Sequence, residues 1–169
     1  MVTHLAGDIL KSHYRVKRVP EYWFYHLEAS TLEDVLPGLL EKVQQRGWTA
    51  LVKLGGATEE RLAELDQYLW TFRDNSFLPH GRDDEPLADV QPVLLSATAT
   101  TAGGKDCVLL IDGAEVDDMS GVTRAIVMIN GRNSEDVKRE RGRWKKLSDA
   151  GASLAYFQQD ERGGWVKKA

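Results

Sequence analysis

Two rhythms of apolar residues alternate along the chain. Tyr22 to Leu27 is aromatic and apolar on both faces, as expected of a central strand covered on both sides. Leu32, Val35, Leu36, Leu39, Leu40 and Val43 then recur at helical spacing, with Ser30 or Thr31 placed to cap and Glu33 and Asp34 near the positive end. Pro37 falls inside that helix and predicts a kink or a restart; Arg46-Gly47 ends it. Thr49 to Leu54 is a second strand. Thr58 caps the next helix, whose stripe is Leu62, Leu65, Leu69 and Phe72, with Tyr68 and Trp70 to the side. Asn75-Ser76 breaks it. Phe77 to Gly81 follows as a loop, because Pro79 disfavours helix at Leu78. Further strands are expected at Val93–Ala97, Val108–Ile111, Arg124–Ile129 and Ala152–Gln159, with a helix at Ser134–Ala150 and a short edge pairing at Gly164–Val166. Strands alternating with helices predict a single-domain α/β protein: a three-layer α/β/α sandwich with a central, mostly parallel sheet of Rossmann-like type.

The length of 169 residues suits one domain with a good core. A net charge of -4 argues against a general nucleic-acid coat, which needs an overall basic surface. The single cysteine, Cys107, excludes an internal disulfide or a thiolate metal cluster, and it heads an apolar strand. No apolar run reaches membrane-spanning length, and the first residues show no apolar signal core, so a cytoplasmic protein with no membrane contact is expected. Residues 1–20 read as an N-terminal extension with a basic cluster at Lys11, Arg15, Lys17 and Arg18. The α/β domain is expected to span 21–169.

Candidate chemistry narrows the field. Gly55-Gly56 lies between a strand and a helix, where α/β enzymes bind phosphates. It lacks GxGxxG spacing and a phosphate-reaching lysine, and Glu59 and Glu60 would repel an anion. A nucleotide-binding enzyme using this turn remains the alternative reading. Asp112, Asp117 and Asp118 lack calcium-loop order and read as an exposed acidic turn, as does Arg82 to Pro86. The four histidines (His4, His13, His26 and His80) are scattered with no nucleophile set beside them, and His80 reads as a turn residue bonded to a neighbour. Neither a catalytic residue, a cofactor nor a metal is expected.

Two surfaces stand out. From Val137 to Ser148 the last helix carries Lys138, Arg139, Arg141, Arg143, Lys145 and Lys146 against Glu140 alone. Val137, Arg141, Trp144 and Lys145 share one face at helical spacing, which suits either a solvated outer face or a pocket for a peptide both apolar and anionic. Gly142 weakens the helix and permits close approach. Trp70 and Phe77, close together with Leu78, either pack under their loop or form a partner-binding patch.

The ordered segments LDQYLW and SFLPHG, with YWFYHLEAS, RGWTALV, QPVLLS, RGRWKKLSDAG and YFQQDERGGWVKK, span Tyr22 to Lys168. Together they resemble the chi subunit of bacterial DNA polymerase III, an accessory protein of the replicase clamp loader. The resemblance implies a non-catalytic subunit in DNA replication, touching DNA only indirectly. It implies that the basic helix binds the acidic, phenylalanine-ended C-terminal tail of single-stranded-DNA-binding protein, through the positions matched by Arg141, Trp144, Lys145 and Val137. It further implies that Trp70 and Phe77 meet the psi subunit or its equivalent, and that a helicase-like protein can use the same face. The N-terminal extension and the short acidic loop depart from the family pattern.

Overall fold

The expected alternation is realised in a computed structural model that describes residues 19–56 and 58–169. The basic cluster of the N-terminal extension lies outside the described residues. Along the chain come Glu21–Leu27 (β1), Leu32–Gln45 (α1), Ala50–Leu54 (β2), Glu59–Thr71 (α2) and Gly81–Arg82 (β3). Val93–Ser96 (β4), Cys107–Ile111 (β5), Arg124–Asn130 (β6), Ser134–Asp149 (α3), Leu154–Gln159 (β7) and Trp165–Lys167 (β8) follow. The strands form one sheet in the order β3-β4-β2-β5-β6-β1-β7-β8, parallel except for the β7–β8 pair.

Alternate residues of each strand feed two cores, which is why the apolar runs are nearly continuous. Tyr25, Leu27, Val52, Leu54 and Leu109 pack beneath α1 and α2. Phe24, Leu51, Val108, Leu110 and Val127 pack on the other face, where α3 adds Val137, Trp144 and Leu147. The architecture is the α/β/α sandwich expected. Each strand of the β2–β5 pair is buried along its whole length, as a parallel sheet covered on both faces requires. Cys107 is fully buried, and burial pushes its thiol up to about 12, so it is a packing residue and not a nucleophile.

The helix starts follow their capping residues. The Thr31 hydroxyl accepts from the Asp34 amide while the Asp34 carboxylate accepts from the Thr31 amide, a reciprocal capping box. Thr58 caps α2 through the Arg61 amide, and Asn133 caps α3 through the Glu135 and Asp136 amides.

Two local expectations are corrected. Helix α1 does not restart at Pro37; it runs unbroken from Leu32 to Gln45. Proline has no N–H for the carbonyl four residues back, which belongs to Glu33. The Tyr68 hydroxyl of α2 donates to that carbonyl at 2.7 Å and replaces the missing helical bond. The strand count is the second: the loop from Arg82 begins as a strand, although Asp84, Glu85 and Pro86 are exposed as expected. Gly81 and Arg82 pair with Leu94 and Leu95 as an added edge strand, which makes Arg124–Asn130 the sixth strand in sequence and not the fifth. The Arg82 guanidinium engages Glu59 and Asp84, and Asp83 accepts from the Ser96 hydroxyl.

Candidate interaction surfaces

Helix α3 is cationic by sequence, but its charges divide into two groups. Its buried residues are acids: Glu140 is 1% exposed and Asp136 is 7% exposed. Asp136 accepts from the Asn130 amide at 2.6 Å and pairs with Arg139. Glu140 is clamped between Arg139, at 3.2 Å, and Arg143, at 2.8 Å. Arg143 also donates to the Ala114 carbonyl at 2.8 Å. Arg139 and Arg143 are therefore structural cations, each compensating a carboxylate that would be costly to bury alone.

Arg141, Trp144, Lys145 and Val137 lie on the other flank, as the spacing predicted. Arg141 and Lys145 are exposed, whereas Val137 and Trp144 are half-buried against the sheet. Trp144 meets Phe24 and Tyr156 edge-on, at ring-centroid distances of 5.2 and 5.5 Å. Trp144 is thus packed on the sheet yet only partly buried, at helical spacing from the two cations. Lys145 reaches Asp149 at 2.9 Å, an exposed pair of little worth. Arg141 has no ion-pair partner among the described residues. Gly142 faces open space, with nothing within 4 Å of a side chain added there.

A network that sequence reading missed borders this flank. His26 Nδ1 lies 2.7 Å from the Tyr156 hydroxyl, and its Nε2 lies 3.2 Å from Glu28. Gln158 donates to the same Glu28 carboxylate at 2.8 Å. Burial lowers the His26 pKa, the Glu28 carboxylate opposes the shift, and the Arg141 charge adds to it. Partners 130 residues apart leave no local signal.

A second, open cleft of about 390 Å³ lies on the Arg139–Arg143 flank, floored by Tyr22, Leu110, Met119 and Leu147 and faced by Glu115 and Asp117. The expected site residues do not line it.

Trp70 and Phe77 come together on α2 and its following loop. Their rings are 6.1 Å apart; Trp70 is 45% and Phe77 74% exposed, while Leu78, next to Phe77 in sequence, is buried. The satellite-core reading thus holds for Leu78 and fails for Phe77. His80 supports the pair from below, its ring 4.2 Å from Trp70. Its two nitrogens face the Leu78 carbonyl at 2.7 Å and the Asp66 carbonyl at 3.1 Å, the turn-fixing role expected. Helices α2 and α3 pack on opposite faces of the sheet, so the two surfaces point away from each other.

The Gly55-Gly56 turn serves packing. A side chain at Gly55 would meet the Asp112 carbonyl at 2.3 Å and the Ala114 amide at 2.5 Å, so glycine there permits the close approach of the loop after β5. The crevice of about 230 Å³ at the C-terminal ends of β1, β5 and β6 contains charges that satisfy one another, with Arg61 on Glu33 at 2.7 Å. Among the described residues no cluster of His, Cys, Asp or Glu is set to hold a metal, and no helix is long and apolar enough to cross a membrane.

The structure is a doubly covered α/β sheet whose prominent exposed features are a cationic helix flank and an aromatic pair. Residues 19–155 match the DNA polymerase III chi subunit, HolC, family, and the chain belongs to that family. It is thereby an accessory subunit of DNA polymerase III in DNA replication. No curated protein matches the chain.

Proposed function

We propose that this subunit links the clamp loader to single-stranded-DNA-binding protein, contributing no catalysis of its own. The acidic C-terminal tail of that protein binds along α3, and the psi subunit or its equivalent binds Trp70 and Phe77. A helicase-like partner competes for the same aromatic face.

The observation that carries this reading is the contrast among the arginines of α3. Arg139 and Arg143 are held by buried acids, whereas Arg141 is exposed and unpaired among the described residues, beside Trp144. An exposed guanidinium offers a planar fork of donors to a carboxylate, and Lys145 one turn on adds a second charge. The Trp144 edge and Val137 supply apolar wall for a phenylalanine ring. The two surfaces lie on opposite layers, so both partners can bind at once.

A bridging assay tests the proposal. Immobilised tail peptide should retain the subunit, and added psi should bind without displacing it. Arg141→Ala should weaken retention and spare psi binding; Phe77→Ala should do the reverse. Psi displacing the subunit from the peptide would contradict the two-faced arrangement.

A further inference from the structure

Below α1, at the N-terminal ends of β1, β5 and β6, a pocket of about 70 Å³ is walled by Trp23, Tyr25 and Trp48 and rimmed by Lys42, Arg46 and Arg124. It belongs to neither surface described above: Ser76 and Pro79, beside Phe77, bond to Glu41 and Gln44 of α1, whereas Lys42 and Arg46 face the pocket.

Its electrostatics are unusual for a packing defect. The Arg124 guanidinium lies 3.6 Å over the Trp23 ring and 5.5 Å from that of Trp48, and Arg46 lies 5.3 Å over Trp48. Two carboxylates are near. Glu21 takes one bond from Arg124 Nη2 at 3.2 Å, and Asp106 is already held by the Thr49 amide and hydroxyl. The Trp23 indole N–H, then Arg124, hold the Glu21 pKa down, but the indole closes no hydrogen bond of ordinary geometry. The Nε of Arg124 is likewise buried without a partner. A buried donor left unmade is costly, and Arg124, which carries one, lines this small, cation-rimmed space.

We infer that this pocket is a binding site for a small oxyanion, a carboxylate or phosphate group. Such a group supplies the acceptor that the Arg124 Nε lacks, and its charge meets Lys42 and Arg46 at the rim. The tryptophan rings give those contacts apolar walls, which strengthens them. The volume admits the anionic group and excludes a nucleobase or a peptide side chain of aromatic size, so a larger ligand would enter by its charged end alone.

The test uses the chain's five indole N–H resonances, assigned by single Trp→Phe variants and titrated with sodium phosphate, acetate or chloride at matched ionic strength. The Trp23 and Trp48 signals should move saturably in phosphate or acetate and stay still in chloride, while that of Trp70 stays still throughout. Tighter response to phosphate assigns a phosphate group, and tighter response to acetate a carboxylate. Lys42→Ala with Arg46→Ala, both at exposed positions, should weaken the response about fivefold without unfolding the protein. No movement, equal movement in chloride, or a response unchanged in the double variant would each overturn the site.

Discussion

The Tyr68 hydroxyl donates to the Glu33 carbonyl across 2.7 Å, joining α2 to the one turn of α1 that Pro37 leaves short of a donor. A hydrogen bond between helices thereby substitutes for one within a helix. Tyr68→Phe should cost about 1 kcal/mol, read as a lower urea midpoint at unchanged slope. In a Pro37→Ala background the helical N–H returns, and the cost of Tyr68→Phe should shrink. Equal costs in the two backgrounds would show that the Tyr68 hydroxyl does not stand in for the missing helical bond.

The turn between β1 and α1 depends on one buried amide. Gln159 Oε1 accepts from the Glu28, Ala29 and Ser30 backbone N–H groups at 3.0, 3.1 and 3.0 Å. Gln159→Met fills similar space and leaves those donors without an acceptor, so it should destabilise by about 2 kcal/mol. Gln159→Glu keeps the acceptor oxygen and should cost less. Denaturant melts of both variants decide the matter, and a smaller loss for Met than for Glu would contradict the account.

His26 links stability and binding to pH. Its folded pKa lies below its ordinary 6.5, so the unfolded chain binds more protons in that range. Its contribution to stability is present above 6.5 and is lost as pH falls towards the folded value; His26→Gln should remove that part of the slope. An acidic peptide on Arg141 would offset the cation that depresses His26 and raise its pKa. Affinity for the tail should then increase as pH falls below 6.5, with the His26 ring resonance titrating higher in the complex. An unchanged His26 titration would place the peptide away from this flank.

Phe77, 74% exposed, contributes little to the fold. Phe77→Ala should change stability by less than about 0.5 kcal/mol yet weaken psi binding by about 2 kcal/mol, the size of an aromatic hot spot. Calorimetric titration and a thermal melt of the same variant separate the two effects.

Much of this was legible in the sequence because it is local. The Leu62, Leu65 and Leu69 stripe, the Thr31 and Thr58 caps and the apolar strand runs depend on neighbours a few residues away. The shared face of Val137, Arg141, Trp144 and Lys145 follows from helix geometry alone. What escaped is non-local. Glu140 reads in sequence as a lone acid among solvated cations, but the fold buries it between Arg139 and Arg143. The Gly81–Arg82 edge strand exists only because β4 offers it a partner. Tyr68 on Glu33, Gln159 on the β1–α1 turn and His26 on Tyr156 each join segments that no periodicity relates.

The central claim is that α3 captures an acidic, phenylalanine-ended peptide through the flank that carries Arg141. Its most direct test is a calorimetric titration of that peptide against the wild type, Arg141→Ala and Lys145→Ala, with Arg73→Ala on the opposite layer as control. Arg141→Ala should lose about 2 kcal/mol, roughly thirtyfold in affinity, as expected for a charge-assisted hydrogen bond to a carboxylate. Lys145→Ala should lose less, Arg73→Ala nothing, and removing the peptide's terminal phenylalanine should weaken binding at fixed salt. Equal affinity for all four proteins would contradict the account and return this flank of α3 to a solvated basic surface.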